Sequence, residues 1–343
     1  MVKLKSGIKI RSGIKILVSD NDMILVYEIP SPSTNIQLAI QANSSWFSVG
    51  QAAVINWGDD SAKETVSATS GQSGYIRHTY ASAGTYTIRI SGSMKRYGLS
   101  GDVDILGQTL LTRIDSFGKL GITSLAYAFY NCTGLASVPK TVPDSVTNMS
   151  YMFRNCYGDE FNPDVTKWDV SKVTDMSYMF RNCNGAGFNP DVSSWDVSNV
   201  ENMSFMFAVC SGDAFNPDVS NWDVSNVENM SSMFCWCTHQ NFRGGRGADG
   251  LGVGIANWTP KSLSNLSGFM QGARIQKATY LDSILNAWAA LIGDPVNPLP
   301  TGIICDFGST QYTSAGADSY ALLTDPISSG GAAWTITSGG LQS

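Results

Sequence analysis

The sequence predicts a mixed β and α/β fold: a β-sandwich, then a short solenoid of repeated coils, then an α/β cap at the C-terminus. Three observations carry that prediction. Segments rich in β-formers, separated by turn residues, fill the first part of the chain. From Tyr151 to Cys237 the chain repeats every 27 residues, as shown by Trp168, Trp195 and Trp222, by Phe153, Phe180, Phe207 and Phe234, and by Cys156, Cys183, Cys210 and Cys237. A fixed period of this size marks stacked coils, none of which buries its apolar face alone. Beyond residue 278, helical and strand patterns alternate.

Composition narrows the class. The 343 residues suffice for two or three domains. Charged residues make up 15%, so the surface is expected to rely on Ser, Thr, Asn and Gly. A net charge of −6 argues against nucleic acid as a partner. Two histidines are too few for a His-based metal cluster. No apolar run approaches the ~18 residues of a membrane span.

Residues 1–33 are assigned to an N-terminal arm. KSGIKI and RSGIKI repeat one another, and Ile8, Ile10, Ile14 and Ile16 alternate as edge strands do. An extra strand on the following domain is the other reading. Lys9, Arg11 and Lys15 interrupt the apolar positions, so a secretory leader is not expected.

Residues 34–95 form the predicted sandwich. VINWGDDS (54–61) followed by IRHTYASAGTYTIRISG (76–92) resembles the polycystic-kidney-disease (PKD) type of immunoglobulin-like domain, whose pattern runs W-G-D-G, then H-x-Y, then A-G-x-Y. Asp60 stands where that pattern has Gly. The resemblance implies Trp57 in the core and Gly58 and Asp59 in a hairpin turn. His78 with Asp59 and Asp60 invites an acid/base or metal reading, but turn aspartates ordinarily accept backbone N–H bonds, and the structural role is preferred.

Residues 96–277 form the predicted solenoid of about five coils. ITSLAYAFYNCTGLASVP (122–139) resembles the leucine-rich repeats of BspA-like bacterial surface proteins, and its Phe129 and Cys132 open a divergent coil 24 residues before Phe153 and Cys156. FNPDVSSWDVSNVENMSFMFAVC (188–210) resembles the 27-residue bacterial surface-protein repeat found beside them. The fold this implies is leucine-rich-repeat-like. Trp258 lies 36 residues after Trp222, so the last coil carries a nine-residue insertion within 239–254. Phe242, Arg243, Arg246 and Asp249 in that Gly-rich loop are the candidate binding residues, with a flexible spacer as the alternative.

Within a coil, Met149, Met152, Phe153 and Cys156 stand at helical spacing, predicting a short helical turn, and WDVS predicts a short strand. The cysteines are expected to be free buried thiols. Asp164, Asp191 and Asp218, with Asp169, Asp196 and Asp223, are read as turn formers, a calcium ladder being the alternative. Ser198 to Glu201 and Ser225 to Glu228 match a capping box.

Residues 278–343 are the predicted cap. Leu281, Ile284, Leu285 and Trp288 share one helical face. This α–β–α–β segment resembles the C-terminal part of tail-associated and other structural proteins of bacteriophages.

No catalytic residues, cofactor or metal site is expected, since the recurrent motifs of those chemistries are absent. The expected function is non-enzymatic: a structural and binding protein exposed on a bacteriophage virion, as a tail or fibre adhesin or a capsid-decorating protein. It would be assembled in the host cytoplasm. Its expected partners are other virion proteins through the N-terminal region and a host surface protein or glycan, in a homo-oligomer or multicopy assembly. A bacterial cell-surface adhesin is the alternative, and a glycan-degrading enzyme a third class.

Overall fold

The computed structural model describes residues 21–71, 74–238, 254–273 and 277–342. Strands β1 (Met23–Ile29), β2 (Thr34–Gln41), β3 (Ala52–Asn56), β4 (Glu64–Ser67), β5 (Tyr75–Tyr80), β6 (Gly84–Gly92) and β7 (Leu111–Phe117) come first. They form a five-stranded antiparallel sheet in the order β4-β3-β6-β1-β7 and a separate antiparallel pair, β2 with β5. Met23 to Tyr27 are all buried, which suits a central strand covered on both faces. That strand lies inside the predicted arm, and β7 lies inside the predicted solenoid. The larger sheet therefore draws strands from both sides of residues 34–95. The predicted PKD-type sandwich is corrected accordingly to two antiparallel sheets sharing one core.

One glycine in the hairpin after β3 is fixed by contact. A Cβ on Gly58 would stand 2.6 Å from the Thr87 carbonyl oxygen, and its φ is +82°. Asp60, in the position where the PKD pattern has Gly, takes φ 63°, a conformation Asp tolerates better than most residues.

The leucine-rich-repeat-like solenoid is also corrected. Among the described residues, no helix or strand forms between Phe117 and Gly254. The repeats are turns, joined to one another by single parallel bridges at Ser124, Asn148, Asp175, Asn202, Asn229 and Asn265. The helical turn expected in MSYMFRNC is interrupted twice, because Tyr151 and Asn155 have φ of 59° and 64°, and a left-handed residue cannot continue a right-handed helix. Tyr178 and Asn182 repeat the device at 59° and 60°. The expected WDVS strand is likewise a turn, since the Asp169 carboxylate accepts from Ser171 N at 3.1 Å and Ser171 Oγ at 2.6 Å. The capping boxes do not form either. Ser198 Oγ donates back to Asp196 Oδ1 at 2.6 Å, and Ser225 N to Asp223 Oδ1 at 3.0 Å.

Packing between these turns is dense. Met149, Met152, Phe153 and Cys156 are fully buried, as are their counterparts one repeat on. Phe153 stacks on Phe180, Phe180 on Phe207 and Phe207 on Phe234, each with ring centres 5.7 Å apart. Trp168 and Trp195 stack at 6.4 Å, and Trp222 and Trp258 at 6.3 Å. Each fully buried aromatic contributes on the order of 1.5–3 kcal/mol.

Among the described residues the fold is mostly β, and the two α-helices lie at the end: α1 (Ala278–Ala289) and α2 (Ser314–Thr324), with β8 (Ile304–Asp306) parallel to β9 (Thr335–Thr337). Leu281, Ile284, Leu285 and Trp288 of α1 are buried. The last repeat meets this segment through a bridge between Leu266 and Cys305. Among the described residues, no helix is long and apolar enough to cross a membrane.

Candidate functional site

The periodic side chains are engaged inside the fold. The indole N–H of Trp195 donates to Val165 O at 3.1 Å and that of Trp222 to Val192 O at 3.0 Å. The Cys156 thiol donates to Phe129 O at 3.2 Å, Cys183 to Phe153 O at 3.2 Å, Cys210 to Phe180 O at 3.1 Å and Cys237 to Phe207 O at 3.2 Å. All seven cysteines are free and buried. Burial pushes these four thiols well up from their ordinary pKa, so they are poor nucleophiles.

Both aspartate series close turns. Asp164 accepts from Thr166, Asp191 from Ser193 and Asp218 from Ser220, each two residues on. Asp196 and Asp223 accept from Ser198 and Ser225 in the same way. Hydrogen bonds from the Thr166 hydroxyl and amide hold the Asp164 carboxyl below its ordinary range. Among the described residues, no group of three or more His, Cys, Asp and Glu could hold a metal ion.

His78 Nε2 lies 2.7 Å from Asp59 Oδ2, and its ring stacks on Trp57 at 4.6 Å and meets Tyr80 edge-on at 4.7 Å. Asp59 also accepts from Ser61 N at 3.2 Å. Burial alone would raise the Asp59 carboxyl; the Ser61 and His78 hydrogen bonds outweigh it and hold the group low. The pair fixes a turn against the aromatic cluster. Phe242, Arg243, Arg246 and Asp249, the binding residues expected from sequence, lie outside the described residues.

A different site stands out. An open groove of about 460 Å³ is lined by Asp104, Ile105, Gly107, Gln108 and Thr109 on one side and by Asn131, Thr133, Asn155, Tyr157 and Asn182 on the other. Its floor is a chain of side-chain amides running across the repeats. Asn184 Nδ2 donates to Asn182 Oδ1 at 2.6 Å, Asn182 to Asn155 at 3.0 Å, and Asn155 to Asn131 at 2.7 Å. Asn131 in turn donates to the Asp104 carboxylate, which also accepts from Gln108 Nε2 at 2.9 Å.

The lip of the groove is tied down at several points. Leu106 N donates to Gln37 Oε1 at 3.0 Å, and Gln37 N to Leu106 O at 2.8 Å. Asp102, two residues before Asp104, pairs with Arg154. Arg154 lies over the rings of Tyr130, Tyr151 and Tyr178 at 5.4, 5.6 and 5.9 Å. Tyr127, Tyr151, Tyr178 and Phe205 form a second, half-buried ladder, with ring centres 4.2, 4.3 and 4.5 Å apart. Burial and the neighbouring Tyr127 push the Tyr151 phenol up to about 12.

Residues 123–245 match the family described as "Mycoplasma protein of unknown function, DUF285". That family is related to the BspA-like surface repeats. The match spans the stacked turns except the last, and includes neither the sheets nor the helical tail. No curated protein and no solved structure matches the chain.

Sequence reasoning missed the groove, although a signal was present. Asn131, Asn155 and Asn182 recur at spacings of 24 and 27, and the series then gives way to Val209.

Proposed function

We propose that this protein is a non-enzymatic structural and binding protein exposed on a bacteriophage virion, in which the stacked turns form a rigid scaffold for surface recognition. One observation carries the reading. The repeated Trp, Phe, Met, Cys and Asp side chains are consumed by core and turns, while the amides of the open groove keep hydrogen-bonding capacity toward solvent. Buried thiols and turn-bound carboxylates support the absence of covalent or acid/base chemistry at the periodic positions. The sheets would attach the chain to its particle. The virion assignment also rests on the likeness of the α–β–α–β tail to phage structural proteins.

A bacterial cell-surface adhesin is the second reading, favoured by the match of residues 123–245 to a Mycoplasma family related to surface repeats. Immunogold electron microscopy separates the two. Label on purified particles is the expected result; label on intact cells alone supports the adhesin, and label on neither surface overturns both.

A further inference from the structure

We propose that the groove between Asp104 and Asn182 binds a neutral, polyhydroxylated ligand, namely a segment of an uncharged polysaccharide. This rests on the surface-recognition reading above and names the ligand class of that site.

The first argument is what the asparagines are not needed for. Asn131, Asn155 and Asn182 have left-handed backbones, with φ of 58°, 64° and 60°. Asn is a common residue there, which on its own is a backbone reason for its presence. Yet the next rungs are Val209 and Trp236, at φ 61° and 59°. A β-branched residue is the least suited to that conformation, and the turn still closes. Amides thus occupy the three rungs that line the groove and are replaced beyond them.

The second argument is capacity. A side-chain amide carries two N–H donors and two acceptor lone pairs. In the relay, Asn131, Asn155 and Asn182 each donate once and accept once through the side chain. Each amide therefore keeps one donor and one acceptor. Sugar hydroxyls both donate and accept, and a vicinal pair matches that arrangement. The relay fixes each amide's orientation in advance, which lowers the ordering cost of binding.

The third argument is charge and polarity. The lining holds one carboxylate and no cation, which disfavours phosphate, sulfate or uronic acid groups. Asp104 already accepts from Asn131 and Gln108 and can accept further from a hydroxyl. Apolar lining is confined mainly to Ile105 and Tyr157. Tyr157 is 52% exposed, so its ring can meet the C–H face of a sugar. An extended peptide would find few apolar pockets for its side chains.

The test is binding of the full chain to an array of neutral oligosaccharides, acidic oligosaccharides and peptides, comparing wild type with Asn155→Gly and Tyr157→Ala. Glycine is at ease at φ 64°, and Tyr157 is exposed, so both variants should fold; circular dichroism checks this. Neutral sugars should bind, with affinity falling by about tenfold in each variant, as expected for losing about 1.4 kcal/mol. Binding only to acidic sugars or to peptides, unchanged binding in both variants, or no binding overturns the proposal. Binding to intact cells that neither variant weakens would leave the recognition reading standing and remove the groove from it.

Discussion

Asn155 donates its side-chain amide to Asn131 Oδ1 across 2.7 Å, so two residues 24 positions apart in sequence share one hydrogen-bond relay. The relay continues to Asp104 and couples the stacked turns to the loop that forms the groove's lip. Replacing Asn155 by Gly removes two of its links while keeping the backbone conformation. Net loss of a half-buried hydrogen bond costs about 0.5–1.5 kcal/mol. Asn155→Leu should cost more, because a branched side chain at φ 64° adds strain of roughly 1–2 kcal/mol. Urea denaturation of the two variants checks the order.

Val209 gives the converse case. Its φ of 61° is unfavourable for a β-branched residue. Val209→Gly is expected to stabilise the chain by about 1 kcal/mol through relief of that strain, less the extra unfolded-state freedom of glycine. A lowered denaturation midpoint would show that valine's packing outweighs its backbone strain.

The tryptophan ladder separates stacking from hydrogen bonding. Trp195→Phe keeps a ring against Trp168 but loses the donation to Val165 O, for an expected cost of about 0.5–1.5 kcal/mol, as that carbonyl still accepts from Trp168 N at 3.0 Å. Trp195→Ala also opens a cavity and should cost about 3–5 kcal/mol. Equal losses in thermal unfolding would place the whole contribution in the indole N–H.

How much of this was legible in the sequence depends on what each residue does. Trp168, Phe153 and Cys156 were readable as core because identical interior positions recur at one period. The backbone between them was not. Met149, Met152, Phe153 and Cys156 have helical spacing, yet a pair of tight turns brings the same residues to one face, and Tyr151 in a left-handed conformation carries no familiar sequence signal. The predicted sandwich failed at its edges for a similar reason: β1 and β7 join across nearly ninety residues of chain, a pairing no local pattern announces. The groove needed the same long-range knowledge, since Asp104 meets Asn131 only through the fold.

Cysteine reactivity follows from burial. Cys156, Cys183, Cys210, Cys237 and Cys305 are fully buried, and their thiols are shifted up. They should be silent to a disulfide reagent in the native protein and react on unfolding in guanidinium. Rapid native reaction of any of the five would contradict the stacked arrangement.

The tyrosine ladder gives a pH dependence with a definite sign. Burial raises Tyr151 from about 10 to about 12, so the folded state favours the neutral phenol. Its stabilising contribution is complete below pH 10 and is lost as pH rises through about 12. Tyr151→Phe should therefore resist alkaline unfolding better than wild type over that window. An unchanged alkaline transition, followed by tyrosinate absorbance, would remove the ladder from the pH response.

The central claim is that recognition sits in the amide groove and the periodic residues serve only to hold it. Hydrogen exchange of the full chain, free and saturated with its best neutral oligosaccharide, tests this most directly. Slowed exchange confined to residues 104–109, 131–133, 155–157 and 182 is the predicted result. Slowing elsewhere with those segments unchanged, or the failure of every neutral oligosaccharide to bind, would contradict it.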